Sequence, residues 1–257
     1  MKGIILSGGK GTRLSPLTLV VHKGLLPIYD KPMIYYPVNT LLEAGIKEIL
    51  VIATKDFISM YKNLLKDGDQ FGVKLKYEIE EDSIGTGQAL TIGKDFIKDD
   101  DVCLIYGDNI FFGNLKDSIK VAKKNAKNGE ATIFLYQVDE SESSRYGIVE
   151  LDKDNKVISL EEKPKNPKSN YAITGLYVFT SEAIKYSKEL TLSERGELEL
   201  TDVIKKYLDA KKLKAVRLKK DIKWIDAGNK DSLLEASIYA KKVKISLHWK
   251  LRFIMIL

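Results

Sequence analysis

Two aspartates each close a short apolar segment, Asp108 in VCLIYGDNIFFG and Asp226 in KWIDAGN, while a glycine-rich turn with cations, GGKGTRL, follows the first apolar run. Alone, either aspartate fits the cap of a following turn, where Asp and Asn are common. Two carboxylates beside a turn that can cradle a polyanion fit Mg²⁺ instead. That ion takes one or two carboxylates and leaves its other positions to water and substrate phosphate. Gly8, Gly9 and Gly11 allow a close approach of backbone to phosphate, and Arg13 adds a charged fork. Lys10, Arg13 and Lys23 lie early in the chain, Lys163 (in EEKP) and Arg195 (in RGELELTD) late. Phosphoryl transfer needs two such cationic ends, one for the leaving group and one for the attacking phosphate, because its chemistry is mostly positioning and charge stabilisation. Glu162, next to Lys163, can bond sugar hydroxyls or stand as a plain surface acid.

Other chemistries have little to work with. No stretch supplies G-x-x-x-x-G-K-[ST], and the dinucleotide fingerprint fails because Leu14 stands at its third glycine. The only histidines are His22 and His248, which leaves no Ser-His-Asp arrangement, and the single Cys103 gives zinc and disulfides no partner. Cys103 reads as a buried strand residue in an apolar run.

The elements that position these residues alternate in the first half. Ile4 to Leu6 reads as a strand, 34–43 as a helix, EILVIAT as a strand and 56–65 as a helix; KLKYEIE is then a strand, 87–96 a helix and VCLIYGD a strand. That alternation implies βαβ crossovers and a mainly parallel sheet with helices on both faces, with ligands at the carboxyl edge. The second half is β-rich (ATIFLYQV, YGIVELD, KVISLEE, YAITGLYVF), suggesting strands added to the sheet and a hairpin excursion over the site, before helices at 181–188, 199–208 and 229–243, the last capped by Asn229. KISLHWKLRFIMIL is too short to span a bilayer and too apolar to be left in water, so it is expected to pack on the body or on another subunit.

With 257 residues and 44% hydrophobic content the chain can bury one substantial α/β core. Its net charge of +6 comes from lysines scattered among nearly as many acids, a solvated surface rather than a nucleic-acid stripe. No signal peptide or membrane span is read in it, and a cytoplasmic protein is expected.

The ordered series GGKGTRLSPLT, LLPIYDKPMIYYP, GDNIFFG, RYGIVE, SLEEKPKNPKSNYAITGLYVF, RGELELTD and WIDAG resembles the glucose-1-phosphate thymidylyltransferases, of the sugar nucleotidyltransferase superfamily. The resemblance implies an α/β fold: a Rossmann-like mixed, mainly parallel sheet with a β-rich sugar-binding part. It sets a nucleotidyltransferase domain at residues 1–240, nucleotide-binding over about 1–130 and sugar-binding over about 131–228, and leaves 241–257 as an atypical tail. It implies in-line attack of glucose 1-phosphate on the α-phosphorus of dTTP with Mg²⁺, releasing pyrophosphate and supplying dTDP-glucose for deoxysugars such as rhamnose. On this resemblance Leu6, Gly8, Gly9, Gly11, Thr12, Glu80, Gly85, Gln88 and Asp108 would hold the nucleotide, and Asp108 and Asp226 the Mg²⁺. Arg13 and Lys23 would act on the triphosphate and Lys163 on the sugar phosphate with Arg195, while Gly147, Glu162, Thr174, Gly175 and Trp224 would line the glucose pocket.

This sequence departs from the family pattern at Gly24, where a glutamine usual after the catalytic lysine is replaced and a side chain is removed at the phosphate end. It departs again at Glu80, in place of a glutamine that reads the thymine edge. A carboxylate only accepts, which suits an amino-bearing base such as cytosine. A uridylyl- or cytidylyltransferase is the alternative within the fold, and a non-catalytic nucleotide-sugar sensor the alternative outside it. The expected partners are the nucleoside triphosphate, glucose 1-phosphate and further copies of the chain in a homo-oligomer, with no nucleic acid and no membrane.

Overall fold

The computed structural model describes residues 1–246; the tail expectation, apart from its first residues, lies outside the described residues. β1 (Lys2–Ser7) is buried almost throughout, as a strand flanked by two parallel neighbours must be. After the glycine turn come a two-stranded ribbon, β2 (Pro27–Ile28) and β3 (Lys31–Pro32), then α1 (Tyr35–Glu43), β4 (Glu48–Thr54), α2 (Ile58–Leu65) and β5 (Lys74–Glu80). The expected helix over 87–96 breaks at Gly93, a poor helix former, into α3 (Ala89–Ile92) and α4 (Lys94–Ile97) before β6 (Val102–Tyr106).

These strands stand in the order β5, β4, β1, β6, all parallel, with Ile4 opposite Leu50 on one side and Leu104 on the other. The chain leaves β1 toward one edge and returns to its other side at β6. That reversal opens a crevice beyond the carboxyl ends of β1 and β6, where Gly8 and Asp108 follow their strands.

The second half builds outward from β6: β7 (Asn109–Phe112), α5 (Lys116–Lys127), β8 (Ala131–Gln137), β9 (Gly147–Leu151), β10 (Val157–Glu162) and β11 (Tyr171–Phe179). β11 runs antiparallel to β6, β8 and β9, and β9 and β10 form a hairpin at the sheet edge rather than a separate flap. α6 (Ala183–Lys188), α7 (Leu200–Asp209), β12 (Leu213–Arg217), β13 (Lys223–Asp226) and α8 (Lys230–Ser246) complete the described chain. β12 extends the sheet parallel to β8. β13 leaves it to pair antiparallel with β7, setting Asp226 opposite Asn109.

Strand alternation divides the core into two layers. Ile5, Val51 and Ile105 face α1, α2 and α5, while Ile4, Leu50 and Leu104 face α3, α4, α6 and α7. The sheet therefore carries helices on both faces, as the apolar strands required. A third cluster, including Ile110, Phe112, Ile225 and Ala236, packs α8 on the β7 and β13 ribbon. The amide of Ser232 bonds the Asn229 side chain (3.0 Å) and the Ser232 hydroxyl accepts from the Asn229 N–H (3.3 Å), a reciprocal cap that starts α8. No described helix is long and apolar enough to cross a membrane.

Candidate active site

The crevice is a cleft of about 310 Å³ walled by both halves of the sheet. Asp108 follows β6 and Asp226 ends β13; the Ala227 amide bonds the Asp108 carbonyl (2.9 Å), so the two carboxylates are neighbours across a ladder. Both line the cleft.

Their charges are balanced unequally. Burial alone would raise the Asp108 carboxyl, yet the Lys23 ammonium, 2.6 Å from Oδ2, together with the Asn109 amide and Arg13, holds it below its ordinary value. Asp226 is raised by burial and by the charge of Asp108, more than Arg13, Lys23 and Arg145 offset. Arg13 nonetheless lies close: a β-carbon at Gly228 would sit 2.9 Å from its Nη2 and 3.0 Å from Asp226 Oδ1, so both side chains converge on that glycine.

Asn109 braces this corner. Its Oδ1 accepts from the Gly175 amide (2.9 Å) and the Trp224 indole N–H (2.6 Å), and its Nδ2 donates to Asp108 Oδ1 (3.2 Å). One buried side chain thus ties β7, β11 and β13 together.

At the opposite end, Glu162 closes β10 and accepts from the Thr201 hydroxyl. Lys163 follows in a left-handed backbone conformation (φ 44°) that few non-glycine residues adopt, and its N–H bonds the Tyr146 carbonyl (3.1 Å). Arg195 pairs with Glu199 (3.1 Å), Glu197 (3.1 Å) and Glu162 (3.6 Å). The Tyr146 and Trp224 rings, 5.1 Å apart, form the wall between the two ends. Cationic side chains therefore stand at both ends of the cleft, with acceptors for hydroxyls beside the far one.

Of the residues expected from sequence, Leu6, Gly8, Gly9, Arg13, Lys23, Glu80, Gly85 and Asp108 line the cleft. Gly147, Glu162, Lys163, Gly175, Trp224 and Asp226 line it as well. Six do not line it, among them Lys10, which is exposed on the glycine turn. Thr174 is fully buried with its hydroxyl on the Phe134 carbonyl (3.0 Å), because successive residues of β11 face opposite ways and Ile173 and Gly175 take the cleft side. Gln88 spends its amide N–H groups on Glu80 (2.8 Å) and the Asp82 carbonyl (2.6 Å), bracing the wall from behind. Gly11 and Thr12 lie on the turn beyond the cleft wall, and Arg195 is held at the rim by its carboxylates.

Sequence reasoning passed over Asn109, Arg145, Tyr146, Glu199 and Thr201, all in the cleft wall. Each sits inside a motif already singled out, GDNIFFG, RYGIVE or RGELELTD, and membership of those motifs was the available signal. Gly24 also differs from expectation. The place a side chain would take is directed at Tyr61 and Ser7, inward from the cleft.

Residues 2–242 match a family model described as nucleotidyl transferase. The chain is 45% identical over 245 residues to the glucose-1-phosphate thymidylyltransferase of Neisseria meningitidis serogroup A, covering 95% of this chain and 84% of the relative. It is 43% identical to that of Mycobacterium tuberculosis H37Rv, covering 95% and 83%. Among solved structures it is similar to a Bacillus anthracis protein described as a glucose-1-phosphate thymidylyltransferase, in complex with a sucrose (TM-score 0.87, 38% identity, covering 94% and 95%). It is similar also to a UDP-glucose pyrophosphorylase complexed with UDP-glucose (TM-score 0.82, 25% identity, covering 94% and 98%).

Proposed function

The chain belongs to the nucleotidyl transferase family, with glucose-1-phosphate thymidylyltransferases as its relatives, and from that premise we propose that it converts dTTP and glucose 1-phosphate to dTDP-glucose and pyrophosphate. The observation that carries the reading is Asp108 and Asp226 side by side in a cleft that also receives Arg13, Lys23 and Lys163.

A phosphate oxygen of the sugar attacks the α-phosphorus in line; the bond from that phosphorus to its β-bridging oxygen breaks, and pyrophosphate departs with the electron pair. No protein nucleophile is required. Cys103 could not serve as one, being buried with its thiol pushed up to about 12 by desolvation. Arg13, beside Asp226, would neutralise the departing pyrophosphate, and Lys23, now on Asp108, would turn to the phosphates. Lys163 would grip the sugar phosphate, with Glu162 accepting from sugar hydroxyls. Oriented this way, two mutually repelling anions are held at reacting distance.

The donor set fits Mg²⁺. Asp108 and Asp226 both line the cleft, and Asp226 is raised by burial and by the charge of Asp108, a repulsion that a divalent cation between them would relieve. Bound there, the ion would supply Lewis-acid polarisation of the phosphate oxygens. Glu80, presenting only acceptors to the cleft, bears on the choice of base.

Pyrophosphate release from glucose 1-phosphate and Mg²⁺ with dTTP, UTP, CTP or ATP tests the reading. Release with dTTP is the expected result. Turnover confined to UTP or CTP would replace the base, and binding of a nucleotide-sugar without any turnover would make the chain a sensor.

A further inference from the structure

A chain of buried hydrogen bonds behind the glycine turn has no role in the mechanism above. His22 Nε2 lies 3.0 Å from the Gly9 carbonyl, and His22 Nδ1 lies 2.5 Å from Tyr61 Oη and 3.3 Å from the Gly24 amide. Tyr61 Oη is in turn 2.6 Å from Ser7 Oγ. The Gly24 N–H can only donate, so Nδ1 accepts and the ring proton is on Nε2, donating to Gly9. Tyr61 therefore donates to Nδ1, and Ser7 donates to Tyr61. Burial and the Lys23 charge push the imidazole down to about 4, which keeps this order at neutral pH.

The ends of the chain are where phosphates are expected. Gly9 lines the cleft, and His22 caps the short turn that opens with Lys23, whose ammonium reaches Asp108. Tyr61, in α2, is fully buried and anchored in the core. A β-carbon at residue 24 would collide with Tyr61 Oη and lie 2.9 Å from Ser7 Oγ; the hydroxyl fills the space a larger residue would need.

Resting on the nucleotidyl-transfer reading, we propose that Tyr61 and His22 are positioning residues that fix the glycine turn and Lys23 for the triphosphate, and that Gly24 exists to admit the Tyr61 hydroxyl. No contact of theirs with substrate is needed. The effect falls on the nucleotide end alone, since nothing in the chain touches Glu162 or Lys163.

Steady-state rates with dTTP and glucose 1-phosphate, and calorimetric titration with inorganic pyrophosphate and Mg²⁺, test this on Tyr61→Phe, Ser7→Ala, Gly24→Ala and the double variant Gly24→Ala/Tyr61→Phe. Tyr207→Phe is the control, because it removes an equally buried hydroxyl, 2.8 Å from that of Thr180, in the opposite core layer. Tyr61→Phe is expected to raise KM for dTTP and weaken pyrophosphate binding roughly tenfold, the size of one or two lost hydrogen bonds. KM for glucose 1-phosphate stays put, and Tyr207→Phe moves neither. Ser7→Ala shifts the same constants by a smaller factor and serves where Tyr61→Phe folds poorly. Gly24→Ala loses more than Tyr61→Phe, and the second change restores part of the loss. Native pyrophosphate affinity in both Tyr61→Phe and Ser7→Ala, or equal KM changes for the two substrates, would overturn the proposal. Failure of the unaltered enzyme to turn over dTTP would sink the transfer reading alone, because the pyrophosphate titration judges the chain separately.

Discussion

Lys23 and Asp108 form the tightest ion pair in the cleft, and removing one charge leaves the other desolvated. Asp108→Asn is therefore expected to lower kcat at least about 100-fold, as loss of a transition-state electrostatic contact does. Its far-ultraviolet dichroism should stay native, which a spectrum beside the pyrophosphate-release assay checks. His22 makes a different prediction, about pH. Its folded value near 4 lies below the ordinary 6.5, so between those values the unfolded chain binds the proton and the folded chain does not. Stability must fall as pH drops through that window, by about 3 kcal/mol from this residue. Asp226, raised by folding, works in the opposite sense over part of the same range. The quantity to measure is thus the difference in unfolding free energy between the native chain and His22→Asn, which should shrink by that amount between pH 7 and pH 4. A constant difference would contradict the buried neutral ring.

At the level of elements, the ribbon of β7 and β13 decides where Asp226 goes, and Asn109 fastens it to β11. Asn109→Ala strands two buried donors, the Gly175 amide and the Trp224 indole. A cost of about 2–4 kcal/mol is expected from their lost partner, read as a lower urea midpoint with an unchanged slope. The elements also show where the chain is hard to read. β1, β4, β6 and β8 announce themselves as apolar runs, and β5 by its alternation of charged and apolar residues. α5 does not: KDSIKVAKKNAK buries only Ser118, Ile119, Ala122 and Ala126, a narrow stripe among lysines. β12 is similarly screened, since LKAVR lies between charged residues and is only partly buried at the sheet edge.

For the molecule as a whole, the two apolar layers that cover the faces of the one large sheet include neither Asp108 nor Asp226. Chelation by EDTA is accordingly expected to abolish turnover while leaving a cooperative unfolding transition, and added Mg²⁺ should restore the activity. Loss of the transition on chelation would mean that the acidic pair organises the fold rather than the reaction. The cleft belongs to the whole sheet, since the switch point between β1 and β6 supplies one wall and the added antiparallel strands supply the other.

The amino-acid sequence by itself determined the α/β class, the mainly parallel sheet implied by alternating elements, and the motifs from which Arg13, Lys23, Asp108, Glu162, Lys163 and Asp226 come, because periodicity and residue chemistry are local properties. Only the tertiary structure decided that Asp108 and Asp226 adjoin, since that follows from the register of two strands remote in sequence. It alone turned Thr174 inward beside Gly175, through the parity of β11, and showed that the empty place at Gly24 belongs to Tyr61. Such facts depend on which side chains meet across the fold, and no local pattern encodes them.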